Sequence, residues 1–112
     1  MNIGFIGLGN MGAPMAENLT AAGLNVTGYD PAGVRAKDVA IVSSAAQAAK
    51  NADIVITMLP NGDILRAVAD EIIPSMAVGA TFLDCSTVDV ESARQVAEKA
   101  TAAGLLPLDA PV

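Results

Sequence analysis

The sequence predicts an α/β protein built on a doubly wound parallel sheet of about six strands. Three observations carry this reading. Short apolar runs alternate with helix-period patterns from one end of the chain to the other. The connections between them are short, with no linker, repeat or low-complexity tract. The densest run, Ile54-Val55-Ile56-Thr57-Met58-Leu59, is almost wholly apolar, as a strand covered by helices on both faces requires.

In order, Ile3, Phe5 and Ile6 open the chain as a strand. A glycine-rich turn, Gly7 to Gly12, follows and leads into a helix. Asn10 is its candidate cap, Pro14 falls in its first turn, and Met11, Met15, Leu19 and Ala22 keep helical spacing up to a stop at Gly23. Leu24 to Tyr29 reads as the second strand, closed by Asp30. Pro31 to Lys37 has room for at most a turn or two of helix before a short third strand at Val39 to Val42. Ser43 or Ser44 caps an alanine-rich helix ending near Asn51. The fourth strand is Ile54 to Leu59, and Ile64, Leu65, Val68 and Ile72 mark the amphipathic helix after Pro60. Thr81 to Cys85 is the fifth strand. Asp89 caps a helix carrying Val90, Ala93, Val96, Ala97 and Ala100, closed by Gly104, and Leu105 to Leu108 starts a sixth strand. Strict alternation with short loops implies right-handed crossovers in one sheet.

Composition removes several function classes. The 112 residues suit one domain, 53% of them are hydrophobic, and about a fifth are alanine, whose small side chain lets helices lie close on a sheet. There is no histidine, which excludes histidine acid–base chemistry, Ser-His-Asp triads and histidine-held metals. The one cysteine, Cys85, cannot form an intrachain disulfide or a cysteine-rich zinc site, and reads as a small buried hydrophobe. A net charge of −6 with six Lys plus Arg lacks the basic footprint of a nucleic-acid or membrane-surface binder. No run is long enough to span a bilayer, and the opening Met1-Asn2-Ile3-Gly4-Phe5 has no signal-peptide character, so a reducing cytoplasm is the expected setting.

Gly7-Leu8-Gly9-Asn10-Met11-Gly12 fits G-x-G-x-x-G in the setting that gives this pattern meaning: an apolar strand before it, a helix after it, and an acid at the end of the next strand. Gly7 permits the tight turn, Gly9 lets a pyrophosphate approach the backbone, and Gly12 lets helix and strand pack closely. The N–H groups at the helix start then face the phosphates. Asp30 stands 18 residues beyond Gly12, where a carboxylate accepts ribose hydroxyls and repels a 2′-phosphate. NAD is therefore expected in preference to NADP. The alternative for Asp30 is to start the turn before Pro31, and Arg35 reads as an exposed turn residue. Parallel strands put all their carboxyl ends on one edge, so Leu59-Pro60 and Ser86-Thr87 project towards the same crevice. Ser86 and Thr87 offer hydroxyls there, or serve to start the following helix.

These residues together resemble a known family. Gly4-Phe5-Ile6-Gly7-Leu8-Gly9-Asn10-Met11-Gly12 with Pro14-Met15-Ala16, then Leu59-Pro60, Asp84-Cys85-Ser86-Thr87 and Asp109-Ala110-Pro111-Val112, occur in the order found in the β-hydroxyacid dehydrogenases, most closely those acting on 3-hydroxyisobutyrate. The resemblance spans the chain. It implies a Rossmann-type NAD(P) domain followed by a helical domain that supplies substrate contacts and the dimer interface, so that the parent protein is a homo-oligomer. It implies cofactor contacts at Gly7 to Gly12, Asp30, Leu59, Pro60 and Thr87. Relatives that prefer NADP often carry Asn-Arg where this chain has Asp30-Pro31. Some relatives have a cofactor-contacting Asn where this chain has Ile64.

The same resemblance implies that residues 1–112 are an incomplete dinucleotide-binding domain. The family's Asp-Ala-Pro-Val motif runs on into a substrate-binding Ser-Gly-Gly, and its catalytic lysine lies further along. Lys37, Lys50 and Lys99 match no such motif and read as solvated charges. The implied parent reaction is reversible hydride transfer between 3-hydroxyisobutyrate and NAD, giving methylmalonate semialdehyde, with no turnover expected from residues 1–112 alone. Two other readings stand beside it: a sibling reductase of a semialdehyde or imine, and a non-catalytic nucleotide-binding module.

Overall fold

The computed structural model describes residues 1–110; Pro111 and Val112, the end of the Asp-Ala-Pro-Val motif, lie outside them. Six strands and four helices follow along the described residues, alternating except where the second and third strands are consecutive. They are β1 (Asn2–Ile6), α1 (Gly12–Ala21), β2 (Asn25–Tyr29), β3 (Ala40–Ile41), α2 (Ala45–Ala49), β4 (Ile54–Thr57), α3 (Gly62–Ile72), β5 (Thr81–Asp84), α4 (Val90–Ala102) and β6 (Leu106–Asp109). A 3-10 turn, Ile73–Ser75, ends α3 where Pro74 withholds a backbone donor.

Every strand pair is parallel, and the spatial order is β3-β2-β1-β4-β5-β6. The chain winds outward from β1 to β3, crosses back beside β1 as β4, and winds outward the other way. The reversal lies between β1 and β4, where Ile6 pairs with Tyr29 on one side and with Thr57 on the other. This is the Rossmann-type arrangement, and its crevice opens at the carboxyl ends of β1 and β4.

Alternation along the central strands builds two cores. Ile3 and Phe5 of β1, with Val26 and Ile56, pack under α1 and against Leu8 and Ala16. Ile6, Val55 and Phe82 face the opposite side, under α2, α3 and α4, with Ala48, Leu65, Ile72, Val96 and Ala100. Phe5, Ile6 and Val55 are all fully buried, which is why the central strands read as continuous apolar runs. At the β6 side, Leu106 and Leu108 are 60% and 58% exposed.

The structure adjusts several boundaries. β4 stops at Thr57 rather than Leu59, β5 at Asp84 rather than Cys85, and β3 shrinks to Ala40–Ile41. Pro31 to Lys37 forms a turn held by Asp30 and contains no helix. Ser44, not Ser43, caps α2 by accepting the Gln47 N–H at 3.2 Å. Asp89 caps α4 as expected, accepting the Ser92 N–H at 2.9 Å. Asn10 does not cap α1. Met11 holds the cap position with an already helical backbone (φ −99°, ψ −36°), and no side chain folds back onto the helix start. A side-chain cap there would occupy the N–H groups that the turn presents outward.

Candidate dinucleotide site

The site is built from the strand exits of β1, β2, β4 and β5, which the parallel sheet gathers on one edge. At the exit of β1, the Gly7 N–H bonds Tyr29 O at 2.9 Å and the Leu8 N–H bonds Asp30 Oδ1 at 2.8 Å. Both donors point inward to β2. Among the described residues, the N–H groups of Gly9 to Gly12 have no protein acceptor, and they sit at the positive end of α1. That is the local chemistry of an anion cradle.

The three glycines differ in what the fold asks of them. Gly7 has φ +104°, and a Cβ there would lie 2.1 Å from Met58 O. A Cβ on Gly12 would lie 1.8 Å from Gly7 O. Packing alone forbids a side chain at both. At Gly9, a Cβ would meet nothing within 4 Å. The space over Gly9 is open, and no internal contact calls for a glycine at this position.

Asp30 is half-buried and takes the turn-starting role considered for it, together with a bond to the glycine turn. Its Oδ1 accepts the Leu8 N–H, and its Oδ2 accepts the N–H groups of Ala32 at 2.8 Å and Val34 at 3.2 Å. One carboxylate therefore ties the glycine turn to the β2 exit and shapes the 31–34 turn. A carboxylate has about four acceptor directions, so a further donor is accommodated.

At the β4 and β5 exits, the candidates separate by exposure. Pro60 and Thr87 are exposed, whereas the side chains of Leu59 and Ser86 are buried. The Ser86 hydroxyl accepts the Leu59 N–H at 2.7 Å. Leu8 is likewise fully buried, packed in the core under α1. Asn10 and Met11 stand exposed on the turn.

The sequence reading missed the polar side chains beneath this edge. Thr57 donates its hydroxyl to Asp84 Oδ1 at 2.9 Å, and both are buried. Asn61 caps α3, its Oδ1 accepting the Ile64 N–H at 2.9 Å. The available signals were a lone Thr inside the densest apolar run and an Asx residue just ahead of a helical pattern.

Cys85 is buried, and burial followed by the charges of Asp84 and Asp109 pushes its thiol above the usual range. That state is unreactive. Lys99 pairs with Asp70, Nζ to Oδ1 at 2.6 Å, near the C-terminal ends of α3 and α4 and so on the sheet edge opposite the crevice. Among the described residues, no three His, Cys, Asp or Glu gather as a metal site, and no helix is long and apolar enough to cross a membrane. A groove of about 470 Å³ lies between α4 and β6, lined by residues including Phe82, Val96 and Leu108, and contains none of the glycine-turn residues.

Strand order, glycine turn and acidic β2 exit define a dinucleotide-binding domain. The chain belongs to the family described as the NAD binding domain of 6-phosphogluconate dehydrogenase, which matches residues 2–112. It is 46% identical over 115 residues to a probable 3-hydroxyisobutyrate dehydrogenase of Mycobacterium tuberculosis, covering 98% of this chain and 39% of that protein. It is 40% identical over 118 residues to the NAD-dependent L-serine dehydrogenase of Pseudomonas aeruginosa, covering 98% of this chain and 40% of that protein. A solved structure of the M. tuberculosis 3-hydroxyisobutyrate dehydrogenase with L-serine superposes with a TM-score of 0.95 at 45% identity, covering 99% of this chain and 40% of that one. The chain thus spans about two fifths of the length of these relatives. It is an NAD-binding domain, and it matches that part of the 3-hydroxyisobutyrate dehydrogenases.

Proposed function

We propose that this chain holds NAD for a dehydrogenase acting on a 3-hydroxy acid. The pyrophosphate lies over Gly7 to Gly12 and the adenosine ribose on Asp30. The nicotinamide half passes Leu59, Pro60, Ser86 and Thr87, with Leu8 and Ser86 contributing by shaping the turn and the loop. The observation that carries this reading is Gly9. Its glycine is unexplained by packing and explained by a phosphate that needs the open space above it. Asp30 favours NAD, because a 2′-phosphate would meet a carboxylate already fixed by three N–H groups. When bound, NAD would supply the hydride acceptor for oxidation of the substrate's primary alcohol carbon.

The substrate class follows from two relatives. One is named for 3-hydroxyisobutyrate and the other for L-serine, and both molecules are 3-hydroxypropanoates substituted at C2. The acid–base group belongs to the part of the parent protein beyond these residues, as the family resemblance implies, and Lys99, paired on the opposite edge, is not a candidate for it. The helical substrate and dimerisation domain and a cytoplasmic setting belong to the same proposal. Calorimetric titration tests the first step: NAD binds residues 1–112, and NADP binds more weakly. Absence of NAD binding by the folded chain would overturn the reading. Production of NADH from 3-hydroxyisobutyrate by the pure chain would overturn the placement of the acid–base group.

A further inference from the structure

We propose that Thr57, Asp84 and Ser86 are positioning residues that set the Leu59–Pro60 loop under the nicotinamide half of the dinucleotide. The inference rests on the dinucleotide reading above and extends it to residues beneath the site.

The argument starts where the ladder ends. Thr57 is the last residue of β4, and its carbonyl accepts the Cys85 N–H at 2.8 Å. Continued parallel pairing would give the next β4 donor on that side, the Leu59 N–H, to a β5 carbonyl. It goes instead to the Ser86 hydroxyl at 2.7 Å. Ser86 is itself fixed, because its own N–H donates to Asp84 Oδ1 at 2.9 Å. The same oxygen accepts the Thr57 hydroxyl at 2.9 Å. A chain of three side chains therefore runs from the last β4 residue, through the last β5 residue, and back to the loop after β4.

Fold stability alone is a poor reason for this arrangement. Asp84 is 6% exposed and, among the described residues, has no ion-pair partner. Keeping a carboxylate in such a place is costly, and an apolar pair would hold two strands together at least as well. A fully bonded polar chain fixes one geometry instead. The loop it fixes lines the crevice on the β4–β5 side. The dinucleotide fold has two mononucleotide halves, and the β2 side carries the acid that takes the adenosine ribose. The Leu8–Asp30 bond braces that first half, and the Thr57–Asp84–Ser86 chain braces the second.

The test separates the halves of the ligand. Wild-type chain, Thr57→Val and Thr57→Ser are titrated with NADH and with ADP, which carries only the adenosine half. Wild type binds NADH more tightly than ADP. Thr57→Val loses about tenfold in NADH affinity, as expected for one displaced hydrogen-bonded loop, with ADP affinity unchanged. Thr57→Ser, which keeps the hydroxyl, restores NADH binding. Equal losses for both ligands, no loss for NADH, or no wild-type preference for NADH would overturn the inference alone. Failure of wild type to bind either ligand would overturn the dinucleotide reading with it. Circular dichroism checks folding, and Ser86→Ala, which removes the hydroxyl that accepts the Leu59 N–H, carries the same comparison and the same outcomes if Thr57→Val does not fold.

Discussion

Asp30 Oδ1 accepts the backbone N–H of Leu8 at 2.8 Å, so the acid at the exit of β2 is bonded directly into the glycine turn at the exit of β1. The candidate ribose ligand and the candidate phosphate cradle are one mechanical unit. The other carboxylate oxygen holds the 31–34 turn. This changes what a mutation at Asp30 measures.

Asp30→Ala is expected to weaken NAD binding by about 1.5–3 kcal/mol, the loss for hydrogen bonds to a charged group, and to narrow the preference over NADP. Because three N–H groups lose their acceptor, it is also expected to lower the unfolding midpoint of the ligand-free chain. Asp30→Asn keeps one acceptor oxygen for Leu8 and falls between. Thermal unfolding without ligand, set beside titration of both cofactors, checks this; an unchanged apo midpoint would contradict the latch role.

The glycines give a contrast within one turn. Gly12→Ala puts a methyl 1.8 Å from a backbone oxygen and is expected to cost about 3 kcal/mol of stability. Gly9→Ala meets nothing within 4 Å. Its stability should stay within about 0.5 kcal/mol of wild type, while NAD affinity drops by at least about tenfold. Denaturant unfolding and calorimetry on the two proteins decide it, and normal NAD binding by Gly9→Ala would remove the phosphate from the turn.

Asp89 titrates below the usual carboxylate range, because the Ser92 hydroxyl and N–H both donate to it, with a smaller contribution from Arg66. A depressed folded value means the cap's contribution is complete above the unfolded value near 3.8 and is lost as pH falls through the folded value. Asp89→Asn, which accepts the same N–H without titrating, should show a shallower loss of stability with acid than wild type. Parallel acid-unfolding curves for the two would refute this.

Cys85 runs the other way. Its folded thiol holds its proton above the ordinary value of 9.0, so the associated stability is present below that pH and declines as pH rises towards the folded value. Alkylation by iodoacetamide near neutral pH should be slow in the native chain and fast in urea. Equal rates would mean the thiol is open.

Much of this molecule was legible in the sequence because its signals are local. Ile54 to Ile56 is apolar on both faces, as a strand buried in a parallel sheet requires. The sequence spacing of Gly7, Gly9, Gly12 and Asp30 marks a candidate dinucleotide turn before any coordinate is known. Element boundaries were less legible. Leu59 continues the apolar run of β4, yet its N–H leaves the ladder for the Ser86 hydroxyl. Asn10 has the chemistry of a cap, yet Met11 takes the position because the glycine turn enters the helix directly.

The sequence by itself therefore determined the class of fold, the winding of the chain and the edge on which the candidate site residues gather, since periodicity and turn chemistry act over a few residues. Only the tertiary structure decided which polar groups are available there. Ser86 faces inward, Asp30 braces two turns at once, and Thr57 with Asp84 forms a buried support that no short motif announces. Each of these depends on a partner more than 20 residues away in the chain. Such pairings exist only once β4 and β5 lie side by side and β2 lies against β1.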